Sequence, residues 1–568
     1  MGASASAATA PAAERPALTA ETIVRWASLA ALAAFLGLAV VLPLYAMLSK
    51  SFQSADGAFV GLANYAAYFS NPTLFQSIGN SLFISVVSTA ITTVIAFLYA
   101  YGLTRTCMPG KGLFRAIATI PILAPSLLPA ISLVYLFGNQ GMLKELMLGQ
   151  SIYGPIGIIA GMVFFTLPHA VMILYTALSL ADARLYEAAN VLGASKRKTF
   201  FSVTLPGVRY GLISAILVVF TLVITDFGVP KVIGGRYNVL ATDVYKQVVG
   251  QQNFEMGAVV GMILLIPAAL AFLADRIVQR RQVSQLGARA VPYEPKRNRA
   301  TDLGYLVVCL LVAAFLVGLL GVAAYASLVR FWPYDLSLSL ANYDFTTVDP
   351  DGWAAWFNSL RMAAWTALIG SMIVFAGAYL VEKGRGLGWL RGLVHFMAMV
   401  PLAVPGLVLG ISYIFFFNHP ANPLNGLIGT MAILVLCTVV HFYTVSHLTA
   451  ITALKQIDPE FEAVSASLKV PFYKTFWRVT VPICLPTILD IALYLFVNAM
   501  TTVSAVVFLF SADTKLAAIS VLAMDDAGAT AAAAAMAMMI VYTSAAVRGL
   551  HTLASWGLST RTHAWRRR

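Results

Sequence analysis

The chain has 568 residues, 60% of them hydrophobic and 11% charged, with a formal net charge of +13. Soluble domains average roughly half apolar and a quarter charged, so this composition excludes a soluble globular protein and indicates an integral membrane protein. The positive balance has no interleaved aromatic platform, which argues against nucleic acid as a partner and for contact with anionic lipid headgroups.

A hydrocarbon core of about 30 Å needs roughly 20 apolar residues in a helix. Twelve stretches qualify, six in each half: 23–48, 80–104, 115–138, 152–179, 209–229 and 256–275, then 303–329, 356–382, 389–417, 423–452, 484–510 and 529–550. They predict an all-α membrane protein with an N-terminal tail (1–22), a first six-span domain (23–275), a linker (276–302), a second six-span domain (303–552) and a basic tail (553–568). The opening MGASASAATAPAAERPALTA lacks the basic-then-apolar layout of a cleaved signal and reads as a cytoplasmic tail. Gly2 and Ser6 fit a myristoylation pattern that is too short to carry weight. The cysteines Cys107, Cys309, Cys437 and Cys484 have neither paired nor metal-ligand spacing and are expected to be small buried or loop residues.

Lysine and arginine collect in the stretch Arg105 to Arg115, around Lys196 to Lys198, in the linker and in the closing TRTHAWRRR. Short basic loops stay cytoplasmic, so these are the predicted inner loops, and both termini are predicted to lie inside. The two halves repeat each other: GNSL (79–82) answers FNSL (357–360), and Pro121 and Pro125 answer Pro401 and Pro405. An even number of spans per half makes the repeats parallel, related by an axis along the membrane normal.

The strongest repeat is a polar insert. YEAANVLGASKRKTFFSVTLP (186–206) reappears as FEAVSASLKVPFYKTFWRVTVP (461–482), each on the predicted inner side. In the first copy Glu187, Ala188 and Ala189 favour a helix, Gly193 permits positive φ, Ala194, Ser195 and Lys196 follow, and Pro206 marks entry to the next span. A short helix, a corner and a second helix lying across the membrane surface are expected. Two such loops at equivalent places suit a partner that has its own twofold symmetry.

The spacing E-A-A, three residues, G, nine residues, an aliphatic, one residue, L-P resembles the signature of binding-protein-dependent ABC importer permeases, here Glu187, Ala188, Ala189, Gly193, Val203, Leu205 and Pro206. The resemblance implies two parallel type I permease repeats and a coupling helix that docks on nucleotide-binding subunits. It also implies two copies of a separate ATPase, which bind ATP and Mg, and a periplasmic substrate-binding protein, at a bacterial inner membrane. The second copy departs from the signature. Its glutamate position falls on Ala463, with Glu462 one residue early, and its glycine position is Lys469, after Leu468 and before Val470 and Pro471; Pro482 ends it. Pro471 is the expected corner there.

No G-x-x-x-x-G-K-[ST] loop occurs, PGKGL near Lys111 being too short, so the chain is expected to bind no nucleotide itself. No catalytic triad, zinc spacing or carboxylate pair recommends an enzyme, and no metal site is expected. His441 and His447 lie six residues apart, about 600° around a helix at 3.6 residues per turn, and are expected on different faces. Candidate path residues are the span-breaking Pro121, Pro125, Pro401 and Pro405, and Thr225 and Asp226 with their repeat equivalents Thr501 and Thr502. Asp226 either faces a cationic substrate, pairs with Lys231 or Arg236, or caps the end of its span. Asn80 and Asn358 are expected to cap equivalent spans. A secondary transporter also has six plus six spans, but would need several buried charges for coupling.

For substrate, TDFGVPKVIGGRYNVLATDVYKQVVGQQNFEMGA (225–258) and RRQVSQLGARAVPYEPK (280–296) resemble the 2-aminoethylphosphonate permease family. Ferric iron and thiamine permeases of the fused type are the alternatives.

Overall fold

A computed structural model describes residues 20–283, 291, 293–384 and 386–562. Gly2 and Ser6 and the final six residues lie outside the described part, as do most of the N-terminal tail and the middle of the linker. Eight helices are long and apolar enough to span a membrane, and the total is twelve when each of four bent helix pairs is counted as one span. Spans 1, 2, 4, 5 and 6 are Ala20–Lys50, Pro72–Arg105, Pro155–Ser179, Lys196–Thr225 and Phe254–Gln279. Spans 7, 8 and 12 are Arg299–Leu328, Gly352–Glu382 and Thr530–Trp556.

Span 3 (Lys111–Leu123 with Leu127–Phe137) and span 9 (Gly388–Ala403 with Gly406–Phe417) bend by 100° and 115°. Proline causes both breaks. Pro121 and Pro401 each stand second in a 3-10 turn, and Pro125 and Pro405 each interrupt the helical bonding that would otherwise run through. Span 10 (Met431–His441 with Tyr443–Lys455) bends by 55° and span 11 (Phe472–Ile483 with Leu485–Thr501) by 77°. Their first-half counterparts, spans 4 and 5, have no such break. Span 11 carries Pro486 just after its break, where span 5 has Tyr210.

Spans 5 and 11 start well before the predicted entry points. The second helix of each polar insert does not lie across the surface but runs on into the span through a π-helical turn, Phe200–Thr204 and Phe476–Thr480. The wider turn lets Pro206 and Pro482 sit in a continuing helix, so neither proline marks an entry.

The first span of each half packs on the other half. Span 1 lies along span 9, where the Tyr413 hydroxyl donates to the Ala39 carbonyl at 2.8 Å. Span 7 lies along spans 2 and 3, where Tyr305 stacks on Tyr101 with ring centroids 5.2 Å apart and a Cβ on Gly102 would stand 3.2 Å from Cys309 Sγ. The exchange knits the halves together: one apolar cluster draws on both halves, and a second, in the first half, takes in Cys309, Ala313, Leu316 and Leu319 of span 7.

Candidate functional site: two loops at the basic end and two braces at the opposite end

At the end that carries the basic loops, the first polar insert forms the helix Ala183–Val191. Asp182 caps it, accepting from Arg184 N–H at 3.1 Å. Hydrogen bonds from the Arg184 side chain, and then its backbone, hold the Asp182 carboxyl down to about 2. Leu192 N–H donates to Ala188 O, Gly193 N–H to Asn190 O and Ala194 N–H to Ala189 O, each at 3.0 Å. Gly193 turns the corner at φ +67° with no atom within 4 Å of a notional Cβ. Ser195 then caps the next helix, which Lys196 begins.

The second insert repeats this geometry. Asp458 accepts from Glu460 N–H at 2.9 Å, and the helix Glu460–Ser467 follows. Leu468 N–H donates to Val464 O, Lys469 N–H to Ala466 O and Val470 N–H to Ser465 O, at 2.9, 3.1 and 2.9 Å. The corner is not made by Pro471, as the sequence suggested. Lys469 itself adopts φ +55°, while Pro471 takes the capping place held by Ser195 in the first copy. Three closing hydrogen bonds dictate the turn, and the lysine bears the left-handed strain, about 1 kcal/mol for a residue with a Cβ.

Each short helix presents an apolar stripe outward. Leu185, Ala188 and Leu192 are exposed on the first, and Phe461, Val464 and Leu468 on the second. Leu192 is 84% exposed and Leu468 70%. Glu187 and Ala463 are exposed as well, but Ala189 is buried and faces the protein, so of the two alanines only Ala188 is open to a partner. Glu462 is half-buried and takes a 3.4 Å hydrogen bond from the Tyr379 hydroxyl, unlike the exposed Glu187. Leu185, Leu192, Phe461 and Val464 were not singled out from sequence; the i, i+3, i+7 spacing of each stripe in a polar insert was the available signal.

The chain before span 7 straps the loop of the first half, and the first turns of span 1 strap the loop of the second. Ala183 N–H donates to the linker's Val291 O at 2.9 Å, and Tyr186 packs on Tyr293 with centroids 4.5 Å apart. Cys107, the exposed cysteine, donates through its N–H to Asp302 at 2.8 Å. On the other side, Phe472 N–H donates to Glu21 at 3.2 Å, and Arg25 lies 4.9 Å above the Phe472 ring.

At the opposite end, Asn80 and Asn358 cap nothing, because their helices begin earlier, with Asn71 capping span 2. Instead each reaches across to the segment that follows the fifth span of its half. The Asn80 amide donates to Asn238 O at 2.9 Å, and the Asn358 amide donates to Asp513 O at 2.9 Å and Lys515 O at 3.2 Å. The adjacent Ser81 and Ser359 hydroxyls accept from Leu240 N–H and Ala517 N–H, each at 2.8 Å. A second repeat escaped notice: LANY at 62–65 and 340–343. Asn64 bonds Ser51 O and Gln53 O, and Asn342 bonds Ser327 O and Val329 O. Tyr65 and Tyr343 pair with Ser51 and Ser327 at 2.9 and 3.0 Å.

The path candidates Asp226 and Thr502 end the helices of spans 5 and 11. Asp226 Oδ2 accepts from Val229 N–H at 3.0 Å and so caps the helix after its span. It does not pair with Lys231, which reaches across the halves to Asp526 at 2.9 Å. Asp226 and Thr502 have nearly the same backbone, with ψ of 137° and 135°, and follow Thr225 and Thr501. A Cβ on Gly228 would lie 2.2 Å from Ser126 Oγ, beside Pro125, and one on Gly406, beside Pro405, would lie 2.3 Å from Ser504 Oγ. The serine and the glycine have exchanged sides between the halves. His447 meets His395 at 3.3 Å. Among the described residues no group of three His, Cys, Asp or Glu side chains is placed to hold a metal ion.

Two parallel six-span repeats with exchanged first spans, and a matched helix–corner–helix on each at one end, define a membrane transport subunit. Comparison with known proteins agrees. The family of binding-protein-dependent transport system inner membrane components matches residues 108–284 and again 373–555. The chain belongs to that family, as a permease of an ABC importer with both membrane domains fused in one polypeptide. It is 29% identical over 491 residues to the ferric transport system permease protein FbpB of Actinobacillus pleuropneumoniae, covering 84% of this chain and 70% of that one. It is 28% identical over 278 residues to the spermidine/putrescine transport system permease protein PotB of Escherichia coli, covering 46% of this chain and 98% of that one.

Proposed function

We propose that the two exposed apolar helices, Ala183–Val191 and Glu460–Ser467, are coupling helices that dock on a pair of separate ATPase subunits. The observation that carries this reading is the paired stripe, Leu185, Ala188 and Leu192 with Phe461, Val464 and Leu468, which leaves apolar surface in water at two equivalent places. On this reading the basic end and both termini are cytoplasmic. ATP and Mg are bound by the partners, and this chain contributes no catalytic group. Closure of the ATPase pair draws the loops together and opens the path outward; release after hydrolysis opens it inward. Pro121, Pro125, Pro401 and Pro405 are the bends about which spans 3 and 9 line the path, with Thr225, Asp226, Thr501 and Thr502 at its outer end.

The test is co-purification with the ATPase subunits and hydrolysis stimulated by the loaded binding protein. Leu192→Asp with Leu468→Asp should abolish both, and full transport without any ATPase subunit would refute the reading.

For cargo, two readings have separate support. Ferric iron is favoured by the FbpB relative, whose match runs through both halves. The 2-aminoethylphosphonate reading rests on the likeness of residues 225–258, and on the opposite charges of Lys231 and Asp526 set across the halves at the outer end, which suit a solute with an ammonium and an anionic head. Calorimetry on the cognate binding protein with Fe³⁺, 2-aminoethylphosphonate and thiamine decides between them.

A further inference from the structure

The two straps leave different spaces beneath the two loops. Under the first loop the space is filled: the Arg105 guanidinium lies 5.0 Å from the Tyr186 ring centroid and 4.5 Å from that of Tyr293. It also donates to Leu178 O at 2.8 Å. Under the second loop the equivalent positions hold Lys383 and Glu462, and among the described residues no aromatic ring stacks on the lysine. A cavity of about 430 Å³ opens there, between the start of span 1, the end of span 8 and the second loop.

The charges lining this cavity are unevenly satisfied. Glu21 already accepts from Arg25 at 2.7 Å and from Phe472 N–H at 3.2 Å, and Glu462 accepts from Tyr379. The cations keep donors in reserve. Lys383 donates to Ile457 O at 3.2 Å and, like Lys469, forms no salt bridge among the described residues, while Arg25 keeps guanidinium N–H donors beyond the one it gives to Glu21. A half-buried ammonium that forms no ion pair, in a cavity whose three cations outnumber its two carboxylates, favours an anion that can take several charge-assisted hydrogen bonds, and the volume lies within the roughly 300–1,000 Å³ of small-ligand sites.

We propose that this cavity binds a phosphate-class anion, either a free phosphate-bearing solute or an anionic lipid headgroup, through Lys383, Lys469 and Arg25. The bound anion ties span 1, span 8 and the second loop together, as the Tyr186–Arg105–Tyr293 sandwich ties the first loop to the linker. The site lies wholly within this chain, so its test is independent of the docking reading.

The full-length chain is titrated with inorganic phosphate in lipid-free detergent, with binding followed by calorimetry. In parallel, phosphatidylglycerol retained from nanodiscs is counted by native mass spectrometry. Lys469→Gly removes a cation while suiting the left-handed corner, so that variant folds at least as well as the parent; Lys383→Gln is added to it. Binding in at least one arm, weakened tenfold or more in the double variant, supports the site. The phosphate arm identifies a free solute and the lipid arm a headgroup. Equal binding by parent and double variant, or no binding in either arm, overturns it.

Discussion

The first loop turns on a glycine and the second on a lysine, yet both close through hydrogen bonds from the same three positions. The contrast teaches that the backbone of this repeat is set by its capped helix and its closing carbonyls, whereas the residue at the corner only modulates strain. The same holds at the opposite end, where Ser126 against Gly228 becomes Gly406 against Ser504: a close backbone approach is kept, and the side that supplies the small residue is exchanged. The spaces under the loops differ more, since one is packed with aromatic rings and the other is polar and open.

This comparison can be broken most decisively at the corner. Gly193→Pro forbids positive φ and removes the N–H bonded to Asn190 O, and is expected to reduce binding-protein-stimulated ATP hydrolysis at least tenfold, while circular dichroism of the membrane helices stays unchanged. Unaltered stimulation would separate the first corner from coupling. Next in size, Gly406→Ala drives a methyl into Ser504 Oγ and is expected to lower stability by about 1–3 kcal/mol. Adding Ser504→Gly should recover most of that loss; a thermal melt showing no recovery would mean that the contact is not what limits the site.

The two asparagine braces sharpen the comparison at the opposite end. Asn358 makes two bonds to backbone carbonyls where Asn80 makes one, so Asn358→Ala should cost more than Asn80→Ala, by about 1 kcal/mol, in matched unfolding experiments. The smallest effect is expected from relieving the second corner. Lys469→Gly should slow hydrogen exchange at the Val470 amide, whereas Gly193→Ala should speed it at Ala194, each by a factor equivalent to about 1 kcal/mol or less. Equal and opposite shifts would place both corners in one energetic class; a null result at Lys469 would show that the lysine is not strained.

Much of the architecture was legible. Apolar length located the eight long spans and the four bent helix pairs, because a membrane leaves helices few alternatives, and the N-S dipeptides and paired prolines disclosed the repeat. The site was legible in outline: Gly193 lies at its corner and the polar inserts form helices. What failed were roles that depend on distant partners. Asn80 was read as a cap because the helix start was placed too late, since polar residues before it hid its first turns. Asp226 could not be assigned to Val229 rather than Lys231, because Asp526, the residue that claims Lys231, lies far away in sequence. Pro471 drew the corner away from Lys469 because a lysine carries no signal for positive φ.

The sequence alone determined a twelve-span, two-repeat membrane protein with a polar loop at matching places in each half. Hydropathy and motif spacing are local properties that water, lipid and backbone chemistry enforce wherever the chain lies. Only the tertiary structure decided that the first spans change partners, that the first loop is strapped by the chain before span 7 and the second by the first turns of span 1, and that Tyr293 packs under the first loop while a cavity opens under the second. Those outcomes depend on which surfaces meet when the two halves pack, and helix surfaces of similar apolar character leave no local mark of their eventual neighbour.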